Sequence, residues 1–292
     1  MDESIHLTLG NGQARVMLLE TTEIAQRAAD IHHCSAVATA ALGRLMTGTL
    51  MLGLMLKGAG ESVTVNIRGE GPLSPMVAVA QGGSVKAYAH QPQIELPLRK
   101  DGKLDVGGAV GHHGRMSVVK DLGLREPYVG QMALVSGELG EDFAHYFTVS
   151  EQQPSLVALG VRVSEQRVLK AGGILIQAMP GCSEEMLDQL ELRSPMFAVI
   201  SYELCMAEKE ELIQNWFQGL DAQELARVPL SYACACSREK MEKALLSLGE
   251  KDLQEMIKDG RGAEMECHFC GNRYSFSASE LEALLQAGKG SD

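Results

Sequence analysis

Four of the seven cysteines lie in the last sixty or so residues as two close pairs, Cys234-Ala235-Cys236 and, thirty residues on, Cys267-His268-Phe269-Cys270-Gly271. A Cys-x-x-Cys-Gly step is a metal knuckle: the two-residue spacer turns both sulfurs toward one ion, and the glycine lets the backbone fold beneath them. With the Cys-x-Cys pair the donor set becomes four thiolates, which zinc takes tetrahedrally at about 2.3 Å. The spacing predicts one Zn²⁺ on Cys234, Cys236, Cys267 and Cys270. Four thiolates leave no open position for water, so the site reads as structural and not catalytic. Four unrelated thiols would need two accidental pairs, and His268 is set aside as a ligand because four sulfurs already suffice. Residues 231–292 are too few for a self-sufficient core. A structural zinc contributes roughly 10–16 kcal/mol of apparent binding free energy, so the metal would decide whether this segment is folded.

The same spacing carries redox chemistry. Without metal, Cys267 and Cys270 can close a local disulfide, and Cys234 and Cys236 can do so in a smaller ring. Zinc holds thiols as thiolates, the oxidisable form, and a sulfenic acid on one sulfur is resolved by its neighbour. Spacing makes a switch available; a purely structural site satisfies it equally. The remaining cysteines, Cys34, Cys182 and Cys205, are scattered and read as ordinary buried thiols. The start MDESIHLTLG has neither a basic nor an apolar signal region, which predicts a cytoplasmic chain with no disulfide framework. A net charge of −12 disfavours general binding to phosphate backbones. Residues 35–56 are nearly all apolar, but Arg44 interrupts them. The clean run Leu45–Leu56 has 12 residues, short of the about 20 a membrane span needs, so a buried helix is expected.

Upstream of the cysteines the pattern is that of an α+β protein: a mixed, largely antiparallel sheet domain with helices, a helical linker and a small C-terminal Cys₄ zinc module. Residues 5–9 and 14–18 flank Asn11-Gly12, a hairpin signal, and Thr21 or Thr22 can cap a helix to about Ile31. From residue 61 the period is two, with Val63, Val65 and Ile67. Val77 and Val79 are read across Gly82-Gly83 from Val85, Ala87 and Tyr88. Further strands are expected near Val118-Val119 and over 128–136. A helix over 138–150 buries Leu139, Phe143, Tyr146 and Phe147, and a last hairpin spans 157–163 and 168–179. Hairpins without repeated βαβ units argue against a dinucleotide fold. The first domain is set at 1–180. Residues 181–230 are read as an acidic helical linker, with ten acidic and two basic residues between Ser183 and Glu224. One helix begins at Ser183 and breaks near Ser194-Pro195, and a second runs from Lys209 to Leu220. Asp221 with Glu224 resembles an acidic capping box for a short third. In the module 231–292, Ser237 caps one helix, a second covers about 252–258, and a Cys-turn hairpin follows. Ser277 with Glu280 caps a last helix.

Over nearly its whole length the chain resembles the 33 kDa chaperonin family of redox-regulated bacterial heat-shock holdases. The resemblance rests on Ala41-Leu42-Gly43-Arg44, Gly69-Glu70-Gly71-Pro72, Leu104-Asp105-Val106-Gly107 and Lys120-Asp121-Leu122-Gly123. It continues through Ser150-Glu151-Gln152-Gln153-Pro154-Ser155, Ala171-Gly172-Gly173 and Met179-Pro180-Gly181, and closes on Cys234-x-Cys236-Ser237-Arg238 and Cys267-x-Phe269-Cys270. Lys86-Ala87-Tyr88 departs from it, since many members carry Gly before the Tyr. The resemblance implies an ATP-independent holdase, inactive when reduced and zinc-bound. Peroxide or hypochlorite, aided by heat, would pair Cys267 with Cys270 and then Cys234 with Cys236, with loss of zinc, unfolding of module and linker, and dimerisation. Unfolding clients would be held and passed to the Hsp70 system.

Two other classes compete. A zinc-ribbon nucleic-acid binder needs a basic face, and the module mixes Arg238, Lys240, Lys243, Arg261 and Arg273 with many acids. A dithiol oxidoreductase usually carries Cys-x-x-Cys at a helix start in a βαβ context, not in a hairpin. His32, His33 and Cys34 are adjacent and point to different helix faces, and His112-His113 lies in a Gly-rich loop. No phosphate-binding Gly loop ending in Lys-Ser/Thr is present.

Overall fold

In a computed structural model, which describes residues 1–165 and 167–289, the chain forms two compact units, Met1–Ala233 and a second beginning at Cys234. In the first, β1 (Glu3–Leu9) and β2 (Ala14–Glu20) are joined by a tight turn with Asn11 and Gly12 at φ 54° and 93°, the left-handed region that Asn and Gly tolerate. Then come α1 (Thr22–His32), α2 (Ala36–Leu54), β3 (Ser62–Gly69), β4 (Met76–Gln81), β5 (Ser84–Ala89) and α3 (Val106–Val110). They are followed by β6 (Gly114–Asp121), β7 (Tyr128–Ala133), α4 (Gly140–Val149), β8 (Ser155–Ser164) and β9 (Arg167–Ala178). Helices α5 (Glu184–Phe197), α6 (Ile200–Met206) and α7 (Lys209–Trp216) precede β10 (Gln223–Pro229) and β11 (Ser231–Tyr232).

Two sheets result. One has the order β10-β1-β2-β9-β8, all antiparallel; the other runs β11-β5-β4-β3-β6-β7, antiparallel except for the β11–β5 pair. Between them lies α2, packed on β3, β4 and β5 of one sheet and β8 and β9 of the other. That position explains its sequence: a helix covered all round is apolar all round. It is the one described helix long and apolar enough to cross a membrane, and 89% of that stretch is buried inside the protein. Its Ser35 cap accepts from the Ala38 N–H, and Gly48 lets α4 approach, since a Cβ there would lie 2.3 Å from the Phe143 ring. The opposite face of the first sheet is covered by α5–α7. Ile5, Leu7, Leu9, Val16, Leu18, Ile174 and Ile176 meet Leu190, Phe197, Leu204, Leu212 and Trp216 there.

Several local expectations change. The short helix expected after Asp221 is replaced by β10, because β1 offers a free edge and pairs from Glu3 with Pro229 to Thr8 with Gln223. Helix α5 continues through Pro195 to Phe197, since the cost of the missing N–H falls in its last turn, where Phe197 is fully buried. The hairpin expected across Gly82-Gly83 does form, with Val77 opposite Tyr88 and Val79 opposite Lys86, and its core face carries Met76, Ala78 and Ala80. Thr21 precedes α1 without a capping bond; Asp2 accepts from the Glu23 and Ile24 N–H groups instead, at 3.1 and 2.8 Å. Burial pushes the Asp2 carboxyl up to about 6, against the pull of those two backbone hydrogen bonds.

The second unit contains α8 (Arg238–Leu246), α9 (Glu250–Lys258), the hairpin of β12 (Ala263–Glu266) and β13 (Arg273–Phe276), and α10 (Ala278–Lys289). Ser237 accepts from the Lys240 N–H. Ser277 and Glu280 exchange bonds, side chain to backbone in both directions, a reciprocal capping box. Among the described residues its buried apolar core is Leu245, Leu253, Ala263, Phe276 and Leu281, a small set for a self-supporting fold.

Candidate metal centre

The hairpin of β12 and β13 carries one half of the site at its turn. Cys267 donates its N–H to the Asn272 carbonyl at 2.9 Å, and its own carbonyl accepts from Cys270 and Gly271 at 3.2 and 2.8 Å. Gly271 has φ 70°, the conformation that lets the turn close under the two sulfurs. The other half precedes α8. Lys240 donates from Nζ to the Ala235 carbonyl at 2.6 Å, fixing the residue between the two cysteines. Arg238 reaches the Ser275 carbonyl at 3.0 Å and Glu280 at 2.5 Å, and its guanidinium sits 4.3 Å from the Phe276 ring centre. The start of α8 is thereby clamped to β13 and α10.

These contacts bring the sulfurs of Cys234, Cys236, Cys267 and Cys270 all within 4.8 Å of one another. Cys234 Sγ lies 3.7 Å from Cys267 Sγ, and Cys236 Sγ 3.3 Å from Cys270 Sγ. A disulfide holds its sulfurs about 2.05 Å apart, so all four are free thiols. The edge of a tetrahedron with about 2.3 Å metal–sulfur bonds is about 3.8 Å, close to both spacings. One metal ion can be held by all four.

The electrostatics agree with that donor set. Burial pushes the Cys270 thiol up to about 12, helped by hydrogen bonds with the neighbouring thiols, and burial also raises Cys234. For Cys236 burial acts upward, but hydrogen bonds from Tyr274 and the other cysteines outweigh it and bring it down to about 7. Four thiolates this close repel one another, and a divalent cation removes that cost. Two neighbours of the site carry no sequence signal of their own: the Tyr274 hydroxyl donates to Cys236 Sγ at 3.1 Å, and Asn272 Nδ2 stands 3.8 Å from the same sulfur.

Elsewhere the expected bystanders stay apart. Cys34, Cys182 and Cys205 are half-buried and not fully buried, and burial drives the Cys34 thiol up to about 12. His32 uses Nε2 on the Ala87 carbonyl. His33 forms the left-handed C-cap of α1, and His112 Nδ1 lies 2.8 Å from the Ser136 carbonyl.

Comparison with known proteins is decisive. The family described as Hsp33 protein matches residues 2–277. The chain belongs to the Hsp33 family. The 33 kDa chaperonin of Ruminiclostridium cellulolyticum is 42% identical over 287 residues, covering 98% of each chain. That of Clostridium botulinum is 44% identical over 291 residues, again with 98% of each covered. The crystal structure of the 33 kDa chaperonin from Thermotoga maritima superposes with a TM-score of 0.90 at 35% identity, over 99% of both chains. Membership in this chaperone family and its mixed α+β architecture accord with the resemblance carried by the sequence motifs.

Proposed function

We propose that the chain is a redox-regulated, ATP-independent holdase that acts in the cytoplasm by binding unfolding proteins and not by turnover. In the reduced, inactive form Cys234, Cys236, Cys267 and Cys270 would hold one Zn²⁺. Bound zinc would keep the sulfurs as thiolates and cross-link the two halves of residues 231–292. Under oxidation Cys267 pairs with Cys270 and Cys234 with Cys236. Each thiolate pair gives two electrons to hydrogen peroxide, which takes up two protons from solvent and leaves as two waters, and the zinc ligands are lost as the disulfides form. The module and the linker at 181–230 then lose order, the chain forms a homodimer, and clients are held until the Hsp70 system takes them.

The observation that carries this reading is the meeting of four free sulfurs within 4.8 Å in a unit whose buried apolar core, among the described residues, is the small set Leu245, Leu253, Ala263, Phe276 and Leu281. Removing a cross-link worth roughly 10–16 kcal/mol would exceed the stability of so small a unit. Helices α5–α7 supply the order–disorder element. They are short and therefore depend on docking, and they cover a row of buried apolar side chains on β1, β2 and β9. Light scattering of a thermally unfolding client, without nucleotide, tests the proposal. Scattering should fall only with the peroxide-treated chain; equal suppression by the reduced chain would refute redox control.

A further inference from the structure

The Tyr274 hydroxyl has a position that the four cysteines alone do not account for. Tyr274 lies on β13 opposite Met265, and its ring packs against the small core formed by Leu245, Leu253, Ala263, Phe276 and Leu281. A strand on one side and a packed core on the other fix the ring, and a tyrosine has only two side-chain torsions, so little entropy remains to be lost. The hydroxyl ends 3.1 Å from Cys236 Sγ as a donor. Asn272 Nδ2, two residues earlier on the same hairpin, stands more distant from that sulfur at 3.8 Å. Cys236 is thus singled out among the four sulfurs by a phenol delivered from a rigid element.

We infer that Tyr274 is a positioning residue of the thiolate site: its hydroxyl, donating to Cys236 Sγ, tightens the metal's hold and slows attack of that sulfur on oxidants. The inference rests on the proposed zinc site. A donor aimed at a ligating sulfur withdraws electron density from its lone pairs and fixes their direction, and such outer partners typically govern metal retention by 10–100-fold. The same withdrawal lowers nucleophilicity. When Cys236 is oxidised, its thiolate attacks one oxygen of hydrogen peroxide and breaks the O–O bond, giving the sulfenic acid and hydroxide. A neighbouring thiol then displaces that oxygen as water, forming the disulfide. Removing the hydroxyl donor therefore accelerates the attack.

The test is Tyr274→Phe in the full-length reduced chain, which keeps the ring in the core and removes only the donor. Loaded with Co²⁺, the variant should show its sulfur-to-cobalt charge-transfer band at longer wavelength than the wild type, because an unshielded thiolate is easier to ionise. Loss of metal to a chelator should be about tenfold faster, and mass mapping of peroxide-treated samples should show Cys236 modified earlier. A merely structural tyrosine would shift none of the cobalt spectrum, and identical spectra with identical release rates overturn the inference. Should the variant fail to take up cobalt at one per chain, hydroxyl-proton exchange in the zinc-loaded wild type decides. Slow exchange at Tyr274 upholds the bond; exchange as free as that of the half-exposed Tyr202 refutes it. None of these readouts uses a client, so failure of the holdase reading leaves the result interpretable.

Discussion

Trp216 is the chain's single tryptophan, and it is buried in the helical layer that the proposed mechanism requires to come loose. Its ring meets Phe197 edge-on, with centroids 5.4 Å apart at 85°, and Phe197 also packs on Phe217 at 5.9 Å. Phe197 is fully buried. Phe197→Ala removes the ring that ties α5 to α7. A buried Phe→Ala change costs about 3–5 kcal/mol, with the lost aromatic pairs included in that figure. With a urea dependence of about 2 kcal/mol per molar, the unfolding midpoint of the layer should fall by roughly 2 M. Trp216 emission reports the layer directly and far-ultraviolet circular dichroism reports the whole chain. The variant should lose the buried emission first, while most of the dichroism persists. In the client-scattering assay it should suppress aggregation with less peroxide than the wild type. An unchanged Trp216 midpoint would refute the packing argument. A lowered midpoint with undiminished need for oxidant would refute the link between layer and activity.

Two further outcomes follow from buried carboxylates. Asp2 has a folded-state value raised to about 6 from 3.8, chiefly by burial. Its contribution is fully present below about pH 4 and is lost as pH rises through about 6, amounting to about 2–3 kcal/mol between those limits. Denaturant titrations should show wild type gaining on Asp2→Asn as pH falls from 7 to 4, and parallel curves would refute the assignment. The fully buried Asp142 accepts from the Val135, Ser136 and Leu139 N–H groups at 2.6, 3.3 and 3.0 Å. Asp142→Ala strands those donors and should cost about 3–5 kcal/mol, visible by calorimetry, with Asp142→Asn intermediate.

Legibility in the sequence tracked how local each cause is. The β1–β2 turn announces itself in Asn11-Gly12, α2 in its apolar run, and α10 in Ser277 and Glu280, because residues a few positions apart decide each. The meeting of the cysteine pairs was legible too, since a fixed two-residue step in a hairpin leaves the sulfurs few directions. Distant partners were not readable. Strand β10 carries a helix-like acidic start, yet β1, more than two hundred residues earlier, supplies its hydrogen bonds; strand formation follows such context more than propensity. The cap of α1 comes from Asp2 across the hairpin, not from its own threonines. On β4 the residues alone left open which face is buried, and close packing against α2 selects the smaller Ala78 and Ala80. A Cβ on Gly53 would already lie 2.9 Å from the Ala80 side chain. Tyr274 was invisible for a similar reason: its role depends on where a phenol ends, not on any spacing.

The most direct test of the account measures zinc, free thiols and client protection on one sample, reduced and then treated with peroxide at raised temperature. One zinc per chain is expected when the cysteines are reduced. Zinc, four thiols and the lag in client aggregation should then change together, with Cys34, Cys182 and Cys205 still free. Zinc retained while protection appears, or zinc lost with no gain of protection, would contradict it.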